Sequence, residues 1–178
     1  MAYLVRKLIK MDNLFVLPQF SNIPKIYADI PTTEFRTKEG TLSTWYIDSI
    51  DDIENAVLAI AITSSKVEKL DVIIIDTDIL LKNCLEYKQT YAGQDIAIPD
   101  LQDTHYDIID ISIEKLINCT NVYQKIFDID PQCDKFLLRF TLGEIKDMLK
   151  RALEDGRIDP KKVSKKIGEE LDKLSNVC

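Results

Sequence analysis

Two hydrophobic periods alternate along the chain. Apolar residues recur at Ile53, Ala56, Val57, Ile60 and Ala61, a spacing of three and four that lays one stripe along a helix. Ser49, three residues before Asp52, supplies an N-cap arrangement ahead of it. On either side the pattern shortens to β-branched and aromatic runs, residues 41–47 (TLSTWYI) behind Gly40 and residues 71–76 (DVIIID). The second run is unbroken between its carboxylates. That predicts a strand buried on both faces, central in its sheet and paired in parallel. Strand, helix and buried strand form a βαβ unit over about 41–76.

Residues 2–9 read as an opening strand, and Pro18, Pro24 and Pro31 make residues 15–31 an extended loop. Residues 85–90 and 95–98, flanking Tyr91-Ala92-Gly93-Gln94, predict a hairpin. A helix is expected over 111–127, with Leu116, Ile117, Val122 and Ile126 toward the core, and Asp130-Pro131 breaks it. Beyond it, Thr141 with Glu144 is a capping box for Ile145, Met148, Leu149, Ala152 and Leu153. Gly156 closes that helix, and Asp159-Pro160 opens another with Val163, Ile167, Leu171 and Leu174 inward. The expected fold is α/β, a mixed sheet plus a C-terminal helical hairpin. Residues 1–133 form the α/β domain and 134–178 the hairpin packed on it, one globular unit.

Composition narrows the function classes. The chain has 178 residues, 46% hydrophobic, with a net charge of −7. That supports a real core, excludes dominant disorder, and argues against a general nucleic-acid binder, which must neutralise phosphates. Cys84, Cys119, Cys133 and Cys178 form no CxxC pair, so no zinc ribbon or redox motif is expected, and reduced thiols suit a cytoplasmic setting. Residues 1–10 lack the apolar core of an export leader, and the longest apolar run, residues 56–62, is far short of the ~20 needed to span a membrane. Negative charge is concentrated: residues 48–134 hold 18 acidic and 6 basic side chains, a balance of −12. Such a surface keeps a domain soluble and can steer a basic partner, with Glu86, Asp95, Asp100 and Asp103 as candidate contacts.

The glycines are too scattered for a phosphate-cradling loop. Asp76-Thr77-Asp78, at the carboxyl end of the buried run, is where open α/β sheets place ligands, and two carboxylates there suit a divalent cation. The decapeptide VIIIDTDILL (72–81) resembles the opening motif of PIN-domain ribonucleases, in which the first Asp binds metal. Glu114 stands near the offset of that family's next acid. The resemblance implies a metal-dependent nuclease centred on Asp76, Asp78 and Glu114; here, however, a βα unit precedes the motif that opens the domain in that family. A DxD after a strand is also similar to haloacid-dehalogenase-like phosphatases, although the Gly and hydroxyl residues expected after it are missing. The plainer role for Asp76 and Asp78 is to end the strand and cap a helix beginning near Ile79.

His105 is the single histidine, in Asp103-Thr-His-Tyr-Asp107. On a strand Asp103, His105 and Asp107 would share a face, a conceivable metal or acid/base cluster. No GxSxG elbow is present, and Trp45 and Tyr46 fit packing better than base stacking. Lys161, Lys162, Lys165 and Lys166 give the C-terminal helices a basic face that could bind nucleic acid, though interspersed acids make it an ordinary solvated face. The expected function is a non-enzymatic interaction module, an accessory, inhibitor or immunity-type factor of bacterial or phage style. Its acidic surface would meet a basic protein, and no cofactor is expected.

Overall fold

A computed structural model describes residues 2–9, 33–91, 96–130 and 134–175. The elements are β1 (Tyr3–Leu8), β2 (Leu42–Ile47), α1 (Ile53–Thr63), β3 (Leu70–Asp76), α2 (Thr77–Lys82), β4 (Glu86–Gln89), β5 (His105–Ile109), α3 (Ile113–Ile129), β6 (Leu137–Phe140), α4 (Leu142–Glu154) and α5 (Lys165–Ser175). Short 3₁₀ turns at Ile50–Asp52 and Pro99–Thr104 lead into α1 and β5. The extended loop expected over 15–31, most of the turn at 91–94, Asp95, Cys133 and Cys178 lie outside the described residues.

The strands form one six-stranded sheet in the order β4-β5-β2-β1-β3-β6. The fold is α/β with a C-terminal helical hairpin, and the βαβ unit is present in split form. β1 lies between β2 and β3 and pairs antiparallel with each, so those two run parallel to one another without touching. The parallel pairing expected for the apolar run is therefore corrected, since β3 is antiparallel to β1 and to β6. Burial of both faces requires a central strand covered by helices on either side. It does not require parallel neighbours.

Alternation along β3 divides the core. Leu70, Val72 and Ile74 join α1, α4 and α5 on one face, through Val57, Ile60, Ile145, Leu149, Ile167 and Leu171. Ile73 and Ile75 join Leu80 of α2 and Val122, Tyr123 and Ile126 of α3 on the other. The segment from 134 onward contributes edge strand β6 as well as the hairpin, whose helices are bridged by Lys146 and Glu170 at 3.2 Å.

Helix ends follow their local chemistry. Ser49 and Asp52 cap each other's backbone, as do Thr141 and Glu144. Gly156, at φ +69°, closes α4 while its N–H bonds Leu153 O and that of Arg157 bonds Ala152 O. Those two bonds are the Schellman arrangement that glycine permits. Two expectations are corrected. β4 pairs with β5, not with residues 95–98. The last helix starts at Lys165 rather than after Pro160, because Ser164 takes the capping position, its Oγ facing Ile167 N–H at 3.4 Å.

Candidate functional site

The register places most acidic candidates at one end of the sheet. Ile47, Tyr3 and Asp76 lie side by side on β2, β1 and β3. The turn after β2, with Asp48, Asp51 and Asp52, and the start of α2, with Asp76 and Asp78, therefore leave the sheet at the same end. β5 begins at His105 opposite Trp45, so Asp100 and Asp103, on the 3₁₀ turn preceding it, approach that end too. Asp48, Asp52, Asp100, Tyr46 and Arg157 line a hollow of about 310 Å³ there. Of these carboxylates Asp100 is ion-paired, with Arg157 at 2.7 Å, and nearby on α1 Glu54 pairs with Arg151 at 3.1 Å.

A row of tyrosines on neighbouring strands runs inward from this end. Tyr46 of β2 and Tyr106 of β5 stack with centroids 5.1 Å apart, and Tyr87 of β4 lies 5.9 Å from Tyr106. Tyr46 donates to Asp48 Oδ1 at 3.0 Å. Burial, then that hydrogen bond, hold the Tyr46 phenol above its ordinary range, so it remains a neutral donor.

Asp76, Asp78 and Glu114 do not converge. Asp76 Oδ1 accepts the Asp78 N–H at 2.7 Å and caps α2. Lys125, in the C-terminal half of α3, reaches Asn83 just beyond α2 at 3.1 Å. Glu114 sits eleven residues earlier on the same helix, roughly 16 Å away along its axis. Its carboxyl is lowered by its hydrogen bond with Ser112, the N-cap of α3. Among the described residues no trio of His, Cys, Asp or Glu is arranged to hold a metal ion.

The other candidates disperse. Asp103 lies on the 3₁₀ turn, not on the strand, so only His105 and Asp107 share a face of β5. Thr90, just after β4, joins them: its hydroxyl donates to Asp107 Oδ2 at 2.9 Å and lies 2.9 Å from His105 Nδ1. That link was not readable in sequence, because it depends on β4 pairing with β5. Glu86 stands opposite Ile109, at the far end of the sheet from Asp103. The lysine-rich face of the last helices is interleaved with Glu169 and Glu170, and Glu170 is bound to Lys146 and Lys173. Burial pushes the Cys119 thiol up to about 11, which keeps it protonated and a poor nucleophile. Cys84 and Cys119 are free thiols.

No family model, curated protein or solved structure matches the chain. Among the described residues no helix is long and apolar enough to cross a membrane.

Proposed function

We propose that the chain is a non-enzymatic interaction module whose acidic end receives a basic protein partner. The observation that supports it is the gathering of Asp48, Asp51, Asp52, Asp76, Asp78 and Asp103 at one end of the sheet, beside the stacked Tyr46 and Tyr106. These carboxylates accept local hydrogen bonds but keep their charge, and such charge raises the encounter rate with Lys- and Arg-rich surfaces. Tyrosine faces add cation–π contact and rigid apolar area, as expected of an interface. The same carboxylates do not form a donor set for a metal, so their charge remains available to a partner. Asp100 is excluded from the contact set because Arg157 occupies it.

The test is a native pull-down at modest salt with two baits, the unaltered chain and an Asp48→Lys/Asp51→Lys/Asp103→Lys variant. A basic protein retained by the first and lost from the second supports the proposal. Identical retention on both baits contradicts it.

A further inference from the structure

The sheet ends at β4 on one side and β6 on the other. Among the described residues β4 pairs with β5 alone, and Glu86, Lys88 and Gln89 are exposed along it. Thr90 N–H bonds His105 O at 3.0 Å, in line with the β4–β5 register. Along an antiparallel ladder, residues turn their backbone groups toward the partner strand and away from it by turns. Glu86 and Lys88 therefore direct their N–H and C=O at β5, while Tyr87 and Gln89 present theirs at the open edge.

Such an edge is a template for another strand, and charged side chains blunt it against indiscriminate pairing. On β4 the charges choose a register. Glu86 and Lys88 stand two positions apart, on one face of the strand, and neither side chain has a partner among the described residues. A second β4 laid antiparallel along the edge must set outward-facing backbone groups against outward-facing ones. With a two-fold axis at Tyr87, Glu86 of each copy faces Lys88 of the other. An axis at Glu86 or at Lys88 sets like charges face to face, and an axis at Gln89 leaves Lys88 opposite Thr90. Opposite charges directly across a ladder stabilise it, and like charges weaken it.

The register centred on Tyr87 also brings the two Tyr87 side chains opposite one another. They continue the row of Tyr46, Tyr106 and Tyr87, whose successive ring centroids lie 5.1 and 5.9 Å apart. Cross-strand aromatic pairs add to the stability of a sheet. Edge β6 carries no comparable pattern, because its charged residue, Arg139, is bound through two nitrogens to Asp71 of β3.

We propose that β4 is a self-association edge, on which a second copy of this chain pairs antiparallel about Tyr87. The two-fold axis stands perpendicular to the sheet, so one six-stranded sheet continues into the other. The two acidic ends then point in opposite directions. Paired four-residue strands cover less than the ~800 Å² per copy of a standard stable interface, so the dimer is weak and concentration-dependent.

Sedimentation equilibrium of the full chain from about 10 µM to about 1 mM reads the dimer. In the same samples the Tyr87 and Gln89 amides should gain protection from hydrogen exchange as the dimer forms. Glu86→Lys lies opposite Ile109 on β5 and meets no charge there, so it should keep its melting temperature. It should weaken the dimer at least about tenfold, and Glu86→Gln should weaken it less. Lys88→Glu should also dimerise poorly alone, yet an equimolar mixture with Glu86→Lys should regain association, since opposite charges then face each other at both positions. Lys88→Glu stands opposite Asp107 on β5, so its melting temperature is checked first. Where that variant does not fold, the Glu86→Lys result decides.

A chain that stays monomeric throughout leaves the edge to another protein's strand and overturns the proposal. So does a Glu86→Lys dimer as strong as that of the unaltered chain, which puts the interface elsewhere. A mixture of folded variants no stronger than each alone overturns it too.

Discussion

Arg157 grips Asp100 with two nitrogens, Nε at 3.0 Å and Nη2 at 2.7 Å, and Nη2 also reaches Asn55 Oδ1 at 3.0 Å. One side chain between α4 and α5 thus fastens the 3₁₀ turn before β5 and helix α1. It also offsets the charge of Asp100 at the acidic end. Asp100→Asn should leave partner affinity nearly unchanged, and because the pair is partly exposed it should cost less than about 1 kcal/mol of stability. Urea unfolding checks the stability and binding assays check the affinity. A larger loss of affinity than Asp103→Asn causes would return Asp100 to the contact set.

The elements were legible where local chemistry is strong. The apolar, β-branched and aromatic runs of β1, β2 and β3, the Ser49/Asp52 and Thr141/Glu144 boxes and the Gly156 stop are all short-range signals. What escaped depends on distant contacts. β1 entering between β2 and β3 decides the antiparallel pairing, and nothing within the apolar run of β3 records it. Strand β6 has only Leu137–Phe140, too few residues to show a period. A groove of about 470 Å³ beside β2 and β5 was hidden for a related reason. Charge summed along the sequence spreads Arg6, Arg36 and Lys38 over a mildly positive segment, while folding sets them opposite Asp107 from β5. The shared face of His105 and Asp107 was readable from period two, whereas Thr90 was not.

Asp130 should act as a buried staple on the chain entering β6. Its carboxylate accepts N–H groups from Phe136 at 2.6 Å, Lys135 at 2.9 Å and Asp134 at 3.3 Å. Burial pulls the carboxyl upward, but these backbone bonds together hold it below its ordinary value of 3.8. With the folded value lowered, its stabilisation is present above the unfolded value and is lost as pH falls through the folded one. Asp130→Ala should therefore cost ~1–3 kcal/mol at neutral pH by orphaning these donors. The gap from the unaltered chain should close below about pH 4. Denaturant melts at several pH values give the answer, and a gap that widens in acid would count against the staple.

Ile167 is fully buried where α5 meets α4 and α1. Ile167→Ala should lower stability by ~2–5 kcal/mol, the usual cost of a large cavity in a core. An unchanged urea midpoint would mean that the last helix is not docked.

Asp76 should behave as a cap and not as a metal ligand. Asp76→Ala should cost ~0.5–2 kcal/mol through loss of the Asp78 N–H bond. Thermal melts with Mg²⁺ or Mn²⁺ should show no stabilisation. A metal-dependent stabilisation that disappears in Asp76→Asn and survives in Asp103→Asn would restore the nuclease or phosphatase reading of Asp76, Asp78 and Glu114.

The central claim is that the acidic end steers a basic partner, and association kinetics test it most directly. Once a partner has been captured, its association rate constant is measured at two salt concentrations against the unaltered chain and the Asp48→Lys/Asp51→Lys/Asp103→Lys variant. Charge reversal should slow association by about tenfold at low salt and flatten the salt dependence, with a smaller change in dissociation. Lys161→Ala/Lys165→Ala should change neither. Association rates indifferent to salt and to the reversals would contradict the account.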